Sequence, residues 1–212
     1  MRYIDRVDAG RQLADSLGHL AGLRPVVLGI PRGGVIVAFQ VARALEVPLD
    51  FVVVRPLVLP SPPEAAFGAI TEDGVRLTDP ALRYAADVPA VQAAEVAALQ
   101  GQVHHYRAGR PPTCLSGRTV IVVDDGITTG YTALAAYRAA QLRGAARTVL
   151  AVPVGPARTV AELRGYTDEV ICPRTPPVLG SLSDWYTDFA PPHTGEVAGL
   201  LDRATRLAAH QG

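Results

Sequence analysis

The sequence predicts an α/β fold, a parallel, doubly wound central sheet flanked by helices, with a small hood or lid region. Three observations lead there. Short runs of β-branched residues alternate with segments of helical period, the pattern of a sheet covered on both faces. Apolar residues make up 49% of 212, enough to fill a sizeable core. Every loop that combines glycine, proline, acid or arginine leaves the C-terminal end of a strand-like run, where open α/β sheets place their ligands.

The elements follow in order. Leu13, Leu17 and Leu20 recur at helical spacing and predict a first helix over residues 8–20. Residues 25–30 read as a buried strand, broken by Pro31-Arg32-Gly33-Gly34. Residues 35–45 put Val35, Phe39 and Ala42 on one helical face, and 49–55 form a second apolar strand. Four prolines make residues 56–68 irregular, and two short runs flanking Glu72-Asp73-Gly74 predict a hairpin. An Ala- and Gln-rich helix is expected over 91–106. Val120 to Val123 is the next strand, followed by a helix at about 131–143. Residues 147–154 and 169–172 complete the sheet, with Pro156 opening a short helix between them. A Pro-rich, aromatic stretch spans 173–192, and 196–209 reads as a closing helix.

Composition narrows the function. The length fits one domain over 1–212, carrying a loop and hairpin insertion at about 56–78 and a C-terminal lid plus helix at about 173–209. Twenty basic and 20 acidic residues cancel, which gives no electrostatic footprint for nucleic-acid binding. All the basic residues are arginine, so Schiff-base chemistry on lysine is excluded. The charged start, Met1-Arg2-Tyr3-Ile4-Asp5-Arg6, does not suit a secretory signal, and no apolar run is long enough for a membrane span. A cytoplasmic location is expected. Cys114 and Cys172 suggest neither a disulfide framework nor a metal knuckle and read as idle thiols. His104 and His105 are helix neighbours about 100° apart, a poor shared metal site.

The most informative stretch runs from Val120 through Asp124-Asp125-Gly126-Ile127-Thr128-Thr129-Gly130-Tyr131-Thr132. A strand ends in two carboxylates, which can accept hydrogen bonds from vicinal sugar hydroxyls. A small, hydroxyl-rich loop then opens a helix, and its N–H groups can cradle a phosphate with the help of Thr128, Thr129 and Thr132. Together they describe a pocket for a ribose 5-phosphate. A helix-capping role for the acids is the plainer alternative. An ATPase reading fails, because no Gly-x-x-x-x-Gly-Lys-[Ser/Thr] loop is present. On the pocket reading Asp125→Asn should weaken sugar-phosphate binding while leaving the thermal midpoint nearly unchanged.

This stretch resembles the signature of type I phosphoribosyltransferases. Asp5-Arg6-x-Asp8-Ala9-Gly10-Arg11, the Pro-Arg-Gly-Gly loop, Val54-Arg55, Pro63-Glu64-x-Ala66-x-Gly68-Ala69 and Tyr186-x-Asp188-Phe189 are similar to one bacterial family of predicted phosphoribosyltransferases with a poorly defined acceptor. The resemblance implies binding of 5-phosphoribosyl 1-pyrophosphate with Mg²⁺ held mainly through the substrate, and transfer to a nitrogen acceptor such as a nucleobase. It implies a homodimer as well. Asp124, Asp125 and residues 126–130 with Thr132 would hold the ribose 5-phosphate, and Arg32, Gly33, Gly34 and Arg55 the pyrophosphate. Arg32 and its glycines also fit an ordinary strand-to-helix turn, and Arg55 a surface arginine. Glu64, in a loop that closes over the site in many relatives, is a candidate acid or base and equally a solvated carboxylate. Trp185 and Tyr186 are candidates for stacking on a base, and Phe189 is assigned to the lid core. The chain departs from that family in two places. Pro56-Leu57-Val58-Leu59 replaces a lysine and a glycine-containing turn, and Thr128 stands where 6-oxopurine enzymes carry an acid. A non-catalytic sugar-phosphate sensor is therefore the alternative function, and a hydrolase of the same bond is a third.

Overall fold

The computed structural model describes residues 2–59, 66–82, 85 and 87–209. Five parallel strands form the central sheet: β1 (Val26–Gly29), β2 (Leu49–Phe51), β6 (Thr119–Val123), β7 (Arg147–Ala151) and β8 (Glu169–Ile171). Their order across the sheet is β2-β1-β6-β7-β8. Alternation along each strand divides the core in two. Val27, Ile121, Val123 and Val149 meet helices α1 (Arg6–Asp15) and α2 (Gly33–Leu45) on one face. Val26, Leu28, Val120, Val122 and Leu150 meet α4 (Tyr131–Leu142) and α5 (Ala157–Arg164) on the other. Because both faces are covered, the strands read as unbroken apolar runs.

The expected helix over 8–20 ends early. α1 stops at Asp15, and a separate 3₁₀ turn covers Gly18–Leu23. Leu13 and Leu17 still pack together, so the spacing reports a shared core and not one continuous helix. The expected strand over 49–55 is two strands. β2 ends at Phe51, and β3 (Val54–Val58) belongs to a second, antiparallel sheet with β4 (Ala66–Thr71) and β5 (Arg76–Thr78). One face of this hood sheet packs on α4 through Val54 and Ala69. Its other face, through Leu57 and Ile70, meets α3 (Val88–Arg107), in an apolar cluster that also takes in Val197 and Leu201 of α6 (Thr194–Ala209).

Residues 173–193 wrap the C-terminal edge of the central sheet. Tyr3 pairs with Tyr186 there, and Thr187 and Asp188 N–H donate to the Tyr3 and Ile4 carbonyls at 2.8 Å each. The N-terminal segment is thereby fastened to the lid just before α1 begins. Tyr3, Ala9, Val154, Leu179 and Tyr186 form the lid's core. No helix among the described residues is long and apolar enough to cross a membrane.

Candidate functional site

The chain leaves β1 toward β2 on one side and returns at β6 on the other, so the C-terminal ends of β1 and β6 flank the topological switch point of the sheet. The Pro31–Gly34 loop and the acid pair occupy those two ends. They touch. A Cβ on Gly34 would stand 2.8 Å from Asp124 Cα, and one on Gly33 would overlap Asp125 Oδ2. Glycine is required at both positions because the two loops share this space. Arg32 is exposed at the N-cap of α2.

The loop after β6 lines a cavity of about 310 Å³. Asp124, Asp125, Gly126, Ile127, Thr128, Thr129, Gly130 and Thr132 all contribute. Thr128 and Thr129 are exposed, while Ile127 is buried beneath them. Ile127 N–H is committed to the Val154 carbonyl at 2.9 Å. The amides of residues 128–132 donate to no acceptor among the described residues. Gly130, with φ +86°, turns the chain so that these N–H groups open the first turn of α4.

Five further residues line the cavity that sequence reasoning did not select as site residues: Pro56, Val58, Ala66, Ala133 and Leu182. Pro56 and Val58 form a wall on β3, and Leu182 of the lid packs over Gly126, where a Cβ would overlap its side chain. Leu182 carries no sequence signal beyond being apolar in a polar turn. Strand alternation sends Arg55 to the opposite face from Pro56 and Val58, where its Nε meets Glu95 Oε2 of α3 at 2.5 Å. Arg55 therefore does not line the cavity, contrary to the expectation that it joins the anion loop.

The acids are not equivalent. Asp125 Oδ2 accepts a hydrogen bond from Arg6 Nε at 2.7 Å. Arg6 is itself held by the Ala190 carbonyl at 2.9 Å and by the Phe189 ring, 3.8 Å beneath its guanidinium. This partly buried ion pair argues against the expectation that Asp125→Asn leaves the thermal midpoint nearly unchanged. Asp124 Oδ1 accepts the Asp125 N–H at 2.9 Å. Burial, and after it the neighbouring Asp125 charge, pushes the Asp124 carboxyl well above the usual carboxylate range.

Tyr186 is corrected as a stacking platform. It is 2% exposed, sits face to face with Phe189 at 4.8 Å, and donates its hydroxyl to the Asp125 carbonyl oxygen. It is a lid-core residue, as is Phe189. Trp185 is partly buried, with its indole N–H given to the Leu179 carbonyl at 2.9 Å, and does not line the cavity. Glu64 lies outside the described residues. No group of three His, Cys, Asp or Glu among the described residues could hold a metal ion. Burial pushes the Cys172 thiol up to about 12, an unreactive state.

Comparison with known proteins accords with this geometry. Residues 7–176 match the family described as "Phosphoribosyl transferase domain". Two Mycobacterium tuberculosis proteins, MT0597 of strain CDC 1551 / Oshkosh and Rv0571c of strain H37Rv, bear phosphoribosyl transferase as a provisional name. Each is 49% identical over 215 residues, covering 99% of this chain and 48% of its own. The chain thus spans about half the length of the curated relatives it matches. The crystal structure of TT1426 from Thermus thermophilus matches with a TM-score of 0.80 at 40% identity, covering 95% of this chain and 98% of that one. With the family match extending over most of its length, this chain belongs to the phosphoribosyl transferase domain family.

Proposed function

We propose that the protein binds 5-phosphoribosyl 1-pyrophosphate and transfers its phosphoribosyl group to a nitrogen acceptor, releasing pyrophosphate. One observation carries this reading: two loops meet at the switch point, one ending in a carboxylate pair and continuing into open amides, the other of glycine and arginine. The cavity lined by the first loop suits a ligand with a phosphate at one end and a diol beside it, and the Pro31–Gly34 loop abuts its acid pair without lining that cavity. Amides 128–132 and the Thr128, Thr129 and Thr132 hydroxyls would take the 5-phosphate. Asp124 and Asp125 would accept from the ribose hydroxyls, and Gly33, Gly34 and Arg32 would take the pyrophosphate. Arg55 could join them only by leaving Glu95.

The leaving group departs from an anomeric carbon with oxocarbenium character, so the chain supplies no nucleophile. Its contribution is to align the two reactants, stabilise the departing charge and exclude water. Leu182, Pro56 and Val58 give the cavity an apolar rim that serves the last purpose. Mg²⁺ would be held mainly through the substrate's oxygens and water, as suits an ion that dehydrates reluctantly, and it would draw charge from the pyrophosphate. The acceptor is proposed to be a nucleobase, and the assembly a homodimer in the cytoplasm.

The test is pyrophosphate release with Mg²⁺ across a panel of nucleobases, with calorimetry of the sugar pyrophosphate alongside. Base-dependent release is expected. Binding without release on any base would make the protein a sensor, and release without a base would make it a hydrolase. Thr129→Val should weaken sugar-pyrophosphate binding by about tenfold through loss of a phosphate-facing hydroxyl. An unchanged affinity would remove the loop from the site.

A further inference from the structure

Arg6 touches three parts of the protein at once, yet it does not line the cavity beside the acid pair. Its Nε donates to Asp125 Oδ2 at 2.7 Å, its Nη1 donates to the Ala190 carbonyl of the lid at 2.9 Å, and its guanidinium lies 3.8 Å from the centre of the Phe189 ring. The third part is the loop after β1, where a Cβ on Gly33 would stand 2.6 Å from Arg6 Nε. The missing side chain at Gly33 lets the guanidinium reach the acid. Arg6 is also fixed from its backbone outward. Asp5 caps α1 by accepting Asp8 N–H at 2.7 Å, which makes Arg6 the first helical residue. The segment before the cap is paired to the lid: Tyr3 N–H donates to the Trp185 carbonyl at 2.9 Å, and the Thr187 and Asp188 amides return to Tyr3 and Ile4. The guanidinium then spends its donors in two directions, as a planar fork can.

Asp125 is held at every polar atom but one. Its N–H goes to Asp124 Oδ1 at 2.9 Å, its carbonyl accepts the Tyr186 hydroxyl, and its Oδ2 accepts from Arg6. Its Oδ1 accepts no hydrogen bond among the described residues, and Asp125 lines the cavity. With Oδ2 tied, the carboxylate cannot turn freely about its Cβ–Cγ bond, and Oδ1 is kept in one place. Asp124 is the weaker acceptor of the two, because burial holds it toward its neutral form. A diol in the cavity therefore finds its one fixed anionic acceptor at Asp125.

We infer that Arg6 is a positioning residue of this site: acting through Asp125, it fixes the carboxylate so that Oδ1 receives a sugar hydroxyl, and it thereby sets a preference for ribose over its deoxy analogues. The inference rests on the ribose-phosphate reading given above. Arg6 itself makes no contact with the sugar. Its other two grips are on Ala190 and Phe189, so one side chain sets both the seat of the lid and the aim of the acid. A purely structural tie would hold the lid without deciding which sugar binds.

The test is calorimetry on the whole chain with ribose 5-phosphate, its 2-deoxy and 3-deoxy analogues, and inorganic phosphate. The wild type should prefer ribose to at least one deoxy analogue by about tenfold. Arg6→Met, which keeps an unbranched side chain over Phe189, should bring that ratio to within about twofold of unity while inorganic phosphate binds as before. Arg6→Met/Asp125→Asn strands no charge and serves even if the single variant does not fold. It should show the same ratio as Asp125→Asn alone, since Arg6 then has nothing left to position. An unchanged ratio in Arg6→Met overturns the inference and leaves the reading of the site standing. Loss of every ligand, phosphate included, marks a role in holding the fold and also overturns it. A lower ratio in the double variant than in Asp125→Asn shows Arg6 acting other than through Asp125, which overturns it as well. A wild type that binds the sugar phosphates no better than inorganic phosphate removes the ribose reading, and this inference with it.

Discussion

Asp124 and Asp125 are identical side chains, one residue apart, to which the fold assigns different surroundings. Asp124 is held against its own ionisation by burial and by its neighbour's charge. In the unfolded chain it ionises freely, so between the ordinary carboxylate value and its raised folded value the native state binds more protons. Stability from this group is therefore present at low pH and lost as pH rises through the folded value. Asp124→Asn, a mimic of the protonated acid, should raise the thermal midpoint at pH 8, and the gain should vanish once the pH is low enough to protonate Asp124 in both states. Asp125→Asn should act in the opposite direction, costing about 1–3 kcal/mol because Arg6 is left buried without its anion. Thermal unfolding of the two variants from pH 4 to 8 measures both, and equal effects of like sign would refute the division. Only half of this was legible in the sequence. The acids announce themselves by ending a strand, but Arg6 lies 119 positions away from Asp125 and Tyr186 lies 61 away. Nothing local marks an arginine in a first helical turn as the partner of a distant carboxylate.

The elements that read most clearly are those whose boundaries have chemistry. β6 ends at an acid pair, α2 begins at two glycines, and α5 begins directly after Pro156. The strand from Leu49 misled because two different sheets bury it in succession. Phe51, Val52, Val53 and Val54 are each 5% exposed or less, so the apolar run continues through the point where the chain changes sheets. That misreading also placed Arg55 wrongly, since the position next to it faces the cavity. Pro56 occupies β3, an edge strand of the hood sheet, where a missing N–H is tolerated. The resemblance puts a lysine at that position, and the structure puts the position in the cavity wall. Pro56→Lys should therefore restore a cation to the cavity and tighten sugar-pyrophosphate binding by several-fold, about 1 kcal/mol, more at low salt than at high. Calorimetry at two ionic strengths checks this. A salt-independent change, or none, would show that the wall at residue 56 does not face the bound anion.

At the scale of the whole molecule, an ion network spans the hood sheet and the central sheet beside the apolar packing of both. Arg107, near the C-terminal end of α3, reaches Asp50 of β2 at 2.7 Å, Glu72 beyond β4 at 3.2 Å and the Phe51 carbonyl at 3.1 Å, with its guanidinium 3.9 Å from the Phe51 ring. Glu72 in turn accepts Val53 N–H at 2.9 Å, in the segment where the chain passes between sheets, and Asp50 accepts Thr113 N–H at 2.8 Å. Beside them the Asp73 carboxyl is pushed above the usual range, first by burial. None of this could be read from the sequence, because these acids and their arginine are ordinary surface types whose burial depends on the two sheets meeting. Removing the central cation leaves several acids buried together, and breaking such a pair costs about 3–5 kcal/mol. Arg107→Met keeps the packing over Phe51 and should lose about that much in urea unfolding at pH 7. Arg158→Ala, which removes an exposed pair with Glu162 on α5, serves as the control and should leave the midpoint unchanged. If Arg107→Met unfolds no more easily than that control, then apolar packing on α4 and not this ion network joins the hood to the sheet that bears the site.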